Sequence, residues 1–225
     1  MRMLTEHGPP PPGVVAEHVA VAASRPANRA LVRLNMISSA DGGSAVTGVS
    51  GALGNRDDHA VFGALREQAD IVLVGLGTVI SEHYHPPTTA NLRIFVVADK
   101  PDVSGARDLF ASGAATLVLP EDAGAVPEGV PSLRAGTGGQ VDLAKVLSQL
   151  VGKVVLLEGG PTLAGVMVSL GLVDEFFLTI APRVVAGESA RVVHGPDGDP
   201  VPWDLLHGFV DEAGFLFLRY ARQSA

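Results

Sequence analysis

Glu158 directly follows Val154-Val155-Leu156-Leu157 and precedes Gly159-Gly160-Pro161. A carboxylate at the end of four apolar residues is costly to desolvate unless it is paired, reaches water at the strand end, or accepts hydrogen bonds from a ligand. The glycines after it let a phosphate approach the backbone. Pro161 suits the first position of a helix, whose free N–H groups and dipole favour an anion. Val74-Gly75-Leu76-Gly77-Thr78 is a second strand–glycine–helix junction. Either junction alone is compatible with close helix–strand packing; two in one chain suit a dinucleotide lying across neighbouring strand ends. Neither matches the G-x-G-x-x-G fingerprint or the P-loop.

Other residues of chemical interest lie around these junctions. Asn35, Ser39 and Asp41 share one face if a strand persists that far, although Asp41-Gly42 also reads as a hairpin turn. Ser50 sits in Gly48-Val49-Ser50-Gly51, which can turn or fold over a ligand. Arg66 falls late in a helical pattern, where a cation complements the helix dipole. His83-Tyr84-His85 offers two imidazoles with no third metal ligand nearby, so it reads as a surface loop and no metal site is assigned. No nucleophile elbow, zinc-protease helix or kinase set occurs. What remains is chemistry that needs two ligands held face to face, such as hydride transfer from a nicotinamide.

Composition sets the frame for these residues. The chain has 225 residues, 47% hydrophobic and 18% charged, with a mean hydropathy of +0.31, which excludes a disordered chain and demands a sizeable core. Aromatics are only 5%, so the core is mainly aliphatic, as in a sheet buried on both faces. There is no Cys, hence no disulfide, thiolate metal site or Cys nucleophile. A net charge of −8 without a Lys/Arg run argues against nucleic acid. No apolar stretch reaches the ~18–20 residues of a membrane span, and the start has no apolar h-region. A cytoplasmic protein that binds small molecules is expected.

The elements that must position these residues follow from periodicity. Residues 1–29 read as an N-terminal extension, with Pro9–Pro12 favouring polyproline II. Residues 30–225 read as a single domain. Val32, Leu34 and Met36 alternate with Arg33 and Asn35 in a strand with one partly polar face. Asn55 is an N-cap for a helix carrying Val61, Phe62, Leu65 and Ala69. Strands are expected at 71–74, 92–97, 116–119, 154–157 and 176–180, and a helix from Val141 to about Val151. Residues 120–139 read as loop, and 208–220 as a hairpin turning at Glu212-Ala213-Gly214.

In this order, Ser39-Ala40-Asp41-Gly42, Leu65-Arg66-Glu67-Gln68-Ala69-Asp70, Val74-Gly75-Leu76-Gly77-Thr78-Val79, Glu158-Gly159-Gly160-Pro161-Thr162-Leu163, Gly171-Leu172-Val173-Asp174-Glu175 and Ile180-Ala181-Pro182 resemble the pyrimidine reductase family of riboflavin biosynthesis. That family is the reductase half of the bifunctional deaminase–reductase, and the stand-alone actinobacterial form is the most similar. The resemblance implies a dihydrofolate-reductase-like three-layer α/β fold, with a mostly parallel central sheet and an antiparallel C-terminal hairpin. It implies a homodimer, and NADPH-dependent reduction of a phosphorylated ribosylaminopyrimidine to its ribityl form. By resemblance, Ser50, Arg66 and Glu158 match substrate-binding positions, while Thr78, Glu82, Gly160, Pro161, Thr162, Leu163, Ala164, Gly165 and Val166 match positions that hold NADPH. The residue reading adds Asn35 and Asp41 for substrate, and Gly75, Gly77 and Gly159 for cofactor.

The chain departs from the family pattern at three places. Asn35 stands where bifunctional members carry Lys and archaeal stand-alone ones Asn; an amide can hydrogen-bond substrate but supplies no proton. Ala52 replaces a frequent aromatic, and Ala98 a Ser, leaving Lys100 as the alternative partner for a 2′-phosphate. The zinc deaminase half cannot be built from this chain without Cys. Two other functions suit the same fold: reduction of dihydrofolate, and nucleotide binding without turnover.

Overall fold

The computed structural model describes residues 13–21, 25–89, 91–196 and 198–223. The polyproline expectation for Pro9–Pro12 falls outside them. Among the described residues a nine-stranded sheet forms the middle layer. Its strands are β1 (Leu31–Ser39), β2 (Ile71–Gly75), β3 (Arg93–Val97), β4 (Ala115–Leu119), β5 (Ser132–Arg134), β6 (Val154–Leu157), β7 (Glu175–Ala181), β8 (Trp203–Val210) and β9 (Leu216–Arg222). They lie in the order β5-β4-β3-β2-β6-β1-β7-β9-β8. All neighbours from β5 to β7 are parallel; β7–β9 and β9–β8 are antiparallel.

The expected three-layer architecture follows from alternation along these strands. Val72 and Val74 of β2 and Leu156 of β6 face one core, with α1 (Val14–Val19), α2 (Arg56–Glu67), α3 (Leu76–Ser81) and α4 (Arg107–Ala111) against it. Ile71, Leu73, Val155 and Leu157 face the other, covered by α5 (Leu143–Ser148) and α6 (Pro161–Ser169). A strand buried on both faces needs apolar residues at every position, which is why these segments are unbroken Val/Ile/Leu runs.

Three sequence expectations are corrected. The stretch before Arg29 is not only an extension: Val14–Val19 is a helix, and Val19 is fully buried. On the partly polar face of β1, which forms as expected, Arg33 is 1% exposed. The 120–139 segment contains β5, a three-residue edge strand too short to leave a periodic signal. The helix expected from Val141 to about Val151 spans only Leu143–Ser148, capped by the Asp142 side chain on the Lys145 N–H.

Arg33 and α1 explain each other. The Arg33 guanidinium donates to Glu175 Oε2 (2.7 Å), to the Val19 carbonyl (2.6 Å) and to Gln68 Oε1 (3.1 Å). Glu175, its register partner on β7, also accepts from Arg219 of β9, and Arg219 donates to the His18 carbonyl. Both guanidiniums lie near the Phe177 ring, at 4.6 and 5.4 Å from its centroid. His18 packs edge-on against Phe177 and Phe209. Burial, with His207, Arg219 and Arg33 close by, pushes its pKa down to about 3, so the ring is neutral. Two charged side chains thus take the last carbonyls of a six-residue helix into the core.

Replacing Glu175 by Gln leaves two buried guanidiniums facing each other without a counter-charge. The expected loss is about 3–5 kcal/mol of unfolding free energy, the cost of breaking a buried ion pair from one side. Urea unfolding of wild type and Glu175→Gln measures it; a loss below ~1 kcal/mol would mean that water reaches the cluster.

Candidate active site

A cleft of about 1090 Å³ opens at the carboxyl ends of β1, β6 and β7. This is above the roughly 300–1,000 Å³ of ordinary small-molecule sites, and large enough for two ligands side by side. Asn35, Met36 and Ile37 of β1 line it, with Glu158, Gly160 and Pro161 of the β6–α6 junction. The pocket-facing side of α2 contributes Asp58, His59, Phe62 and Arg66. Thr78 and Glu82 come from α3 and its C-terminal end, followed by His83, Tyr84 and His85. The loops at 44–51 and 185–190, with residues 86–88, supply most of the remaining wall.

Glu158 is at the centre, and it is paired. Arg66 donates Nε to Oε1 (2.8 Å) and Nη2 to Oε2 (2.7 Å), and the Tyr84 hydroxyl donates to Oε2 (2.6 Å). Three donors satisfy a carboxylate whose side chain is 2% exposed, as burial of a charge requires. One lone-pair position on Oε1 remains, so Glu158 can take one further donor and not a pair of them. Arg66 lies over the Phe62 ring (4.3 Å) and near that of Tyr84 (5.5 Å). Only one edge of its guanidinium is spent on Glu158. The edge formed by Nη1 and the second Nη2 hydrogen makes no hydrogen bond among the described residues, and such an edge matches a phosphate. Burial and the adjacent Glu158 charge raise the Tyr84 phenol well above its ordinary pKa, so it remains a donor.

The second glycine junction reaches the cleft through Thr78 and Glu82. Glu82 Oε1 accepts from the Ser50 N–H (2.7 Å), which joins α3 to the Gly48–Gly51 turn. The Gly75 N–H donates to the Gly159 carbonyl (3.0 Å), bringing the two junctions together. The Gly159–Gly160 peptide is cis. A Cβ on Gly160 would sit 2.7 Å from Thr78 Oγ1.

Several residues expected in the site are not on its wall. Gly75, Gly77, Gly159 and the run Thr162–Val166 lie beside or behind it. Ala164 is fully buried in the core under α6, and Gly165 is needed because a Cβ there would lie 2.0 Å from the His194 carbonyl oxygen. Asp41 is also off the cleft. Its carboxylate takes the Ser39 hydroxyl and the N–H groups of Val185 and Ala186, and these bonds, the Ser39 hydroxyl foremost, lower its pKa to about 2. It therefore clasps the loop after β7 onto the loop after β1. The Ala40 and Ser44 N–H groups continue that zipper to the carbonyls of Arg183 and Ala190.

Asp58, Phe62 and Tyr84 were not identified as site residues by sequence reasoning. Tyr84 stood between two histidines that drew attention as metal ligands. In the structure the histidines are exposed, and among the described residues no group of three or more His, Asp or Glu is placed to hold a metal. Asp58 and Phe62 carried a signal: with Arg66 they fall at i, i+4 and i+8, one face of a helix.

Residues 30–217 match the family model for the RibD C-terminal domain. Over 186 residues the chain is 31% identical to the 2,5-diamino-6-ribosylamino-4(3H)-pyrimidinone 5′-phosphate reductase of Methanothermobacter thermautotrophicus, covering 76% of this chain and 86% of that one. A pyrimidine reductase-like protein from Corynebacterium diphtheriae superposes with a TM-score of 0.77 at 22% identity, over 94% of this chain and 100% of that one. Dihydrofolate reductase from Enterococcus faecalis, complexed with NADP(H), gives 0.54 at 15% identity, over 86% and 97%. The fold is thus dihydrofolate-reductase-like. No helix among the described residues is long and apolar enough to cross a membrane.

Tyr84→Phe tests the Glu158 cluster through pH. At pH 8 the variant loses a hydrogen bond to a charged group, about 1.5–3 kcal/mol. Above pH ~10 the unfolded phenol ionises while the folded one keeps its proton. The native state then binds more protons, so wild-type stability falls with rising pH by up to about 1.4 kcal/mol per unit. Denaturant titrations from pH 8 to 11 should show the gap between wild type and Tyr84→Phe closing above pH 10. A constant gap would mean the phenol is not buried on Glu158.

Proposed function

The chain belongs to the RibD C-terminal domain family, and from that premise we propose that it is an NADPH-dependent reductase of riboflavin biosynthesis. Its substrate is a phosphorylated ribosylaminopyrimidine, whose ribosyl group is reduced to a ribityl chain. The observation that carries the proposal is the convergence of the Glu158–Arg66–Tyr84 cluster with Gly160 and Thr78 in one cleft at the parallel strand ends. The name of the methanogen relative, aligned over most of both chains, supports the same reaction.

The residues present fit a dinucleotide. Gly160 leaves open the space that a Cβ would fill beside Thr78 Oγ1, and the first turn of α6 has N–H groups free for a phosphate. A reduced nicotinamide dinucleotide held by these residues would supply the hydride for C1 of the open-chain, imine-like sugar. The protein does the rest by placement. The free edge of Arg66 takes the substrate phosphate in planar geometry, and Glu158 and Tyr84 hold that edge in position. Asn35 hydrogen-bonds substrate without titrating, so the proton that completes the reduction comes from water or the substrate phosphate. The Asp41 clasp keeps the 44–51 wall closed on the sheet, and Ser50 hangs from Glu82. Holding donor and acceptor at near-attack distance is the main source of rate.

The proposal includes a homodimer. Leu205 and Leu206 are 57% and 52% exposed on β8, the edge strand, and an apolar edge invites pairing with a second copy.

NADPH oxidation followed by absorbance, with the ribosylaminopyrimidine phosphate and dihydrofolate in parallel, should show turnover of the first only, with NADPH preferred over NADH. Gly160→Val should weaken NADPH binding at least tenfold in a fluorescence titration while the fold is kept. Equal affinities would remove the β6–α6 junction from the cofactor site, and turnover of dihydrofolate alone would overturn the substrate.

A further inference from the structure

Four carboxylates line the cleft: Asp58, Glu82, Glu158 and Glu188. Glu158 carries three donors, Glu82 holds the Ser50 N–H, and Glu188 is exposed to solvent. Asp58 differs from all three. It is half-buried in the first turn of α2, and no cation or backbone N–H among the described residues bonds its carboxylate. The Asn55 side chain caps the helix through the Asp58 N–H, which fixes the backbone and leaves the carboxylate free to face the cleft. Burial raises its pKa, opposed by the Thr179 hydroxyl and by His59. Thr179 is the register partner of Ile37, so the carboxylate sits over the β1–β7 pair at the cleft floor.

A half-buried carboxylate on the cleft wall with most of its lone pairs unused can accept donors from a ligand. Asp58, Phe62 and Arg66 lie on one face of α2 over about 12 Å of axis, an acceptor at one end and a cation at the other. That polarity matches a substrate with an N–H-rich heterocycle at one end and a phosphate at the other. Resting on the function proposed above, we infer that Asp58 reads the ring N–H and 2-amino group of the pyrimidine as a two-point pair, and that the chain selects the 2-amino pyrimidinone over its 2-oxo, uracil-type counterpart. The 2-oxo ring keeps the N–H but turns a carbonyl oxygen toward the carboxylate, acceptor against acceptor. Glu158, with one lone pair left, cannot make this pair.

Asp58→Asn is the discriminating variant, because an amide presents one acceptor and one donor, the complement of the 2-oxo edge. The two ribitylamino phosphates, 2-amino and 2-oxo, are non-reacting ligands and can be titrated calorimetrically. The two ribosylamino phosphates are assayed for NADPH oxidation on the same preparations. Wild type should favour the 2-amino compound at least tenfold in both measurements (~1.4 kcal/mol), and Asp58→Asn should bring the ratio to one or below. A wild-type ratio within threefold overturns the assignment even if the variant does not fold, as does a folded variant that weakens both ligands equally. Binding preference without turnover of either ribosyl compound would sink the reductase reading and leave Asp58 as the reader of the ring. Turnover without preference would do the reverse.

Discussion

The Glu175 carboxylate, held between Arg33 and Arg219, is the interaction on which the rest of the structure depends. It joins β1, β7 and β9, and so couples the parallel part of the sheet to its antiparallel end. Through the His18 and Val19 carbonyls the same two arginines bring α1 into the core. A charge cluster there contributes less to net stability than apolar packing would, because desolvation offsets most of the attraction. What it enforces is arrangement: any other register of β1 against β7 separates Arg33 from Glu175 and strands both. Asn35, two residues along the same face of β1, inherits its place at the cleft from that register.

The cleft repeats the same chemistry with one difference. Glu158, like Glu175, is a buried carboxylate at the edge of an apolar strand, and it too is satisfied by a guanidinium. Around Glu175 every neighbour is internal: Arg33 is enclosed, bonded to two side chains and a backbone carbonyl. At Glu158 the arginine is 23% exposed and keeps one edge unbonded among the described residues. The Glu175 cluster is shut off from solvent, with the Arg219 Nε left as a buried donor without a partner, whereas the Glu158 cluster turns its unbonded Arg66 edge to a cleft that a ligand can enter. The phenol of Tyr84 makes this possible, because a second neutral donor to Glu158 stabilises the carboxylate without adding another charge to the pocket.

Most of the fold was legible because burial on two faces writes a plain pattern. The Ile71–Val74 and Val154–Leu157 runs, the Asn55 cap and the Pro161 start all stand where periodicity and capping put them. The misses share a physical cause. The helix Val14–Val19 is stabilised by long-range bonds from Arg33 and Arg219, which no local window contains. β5 exists because three residues can extend a ladder already formed by β4. The burial of Arg33 on the partly polar face of β1 carried no local signal, because its counter-charge lies 142 residues away.

The site was legible in Glu158 and Arg66 and in one of its expected glycines, Gly160, whereas Asp41 lies off the cleft and Asp58 lines it. Asp41 drew attention because alternate residues of a strand share a face, and that inference holds only while the strand lasts. β1 ends at Ser39, so the turn rather than the pleat directs Asp41, and its carboxylate folds onto the backbone of the opposite loop. Asp58 lay in a helix start, where acidic residues are ordinary dipole partners. Its helix does persist, to Glu67, and the i, i+4, i+8 relation to Phe62 and Arg66 survives with it. Spacing therefore identifies a functional face when a regular element carries it through to the last residue invoked. Glu158 and Asp58 then differ within the pocket: Glu158 carries three donors and fixes one edge of Arg66, while the Asp58 carboxylate takes no cation or backbone N–H among the described residues.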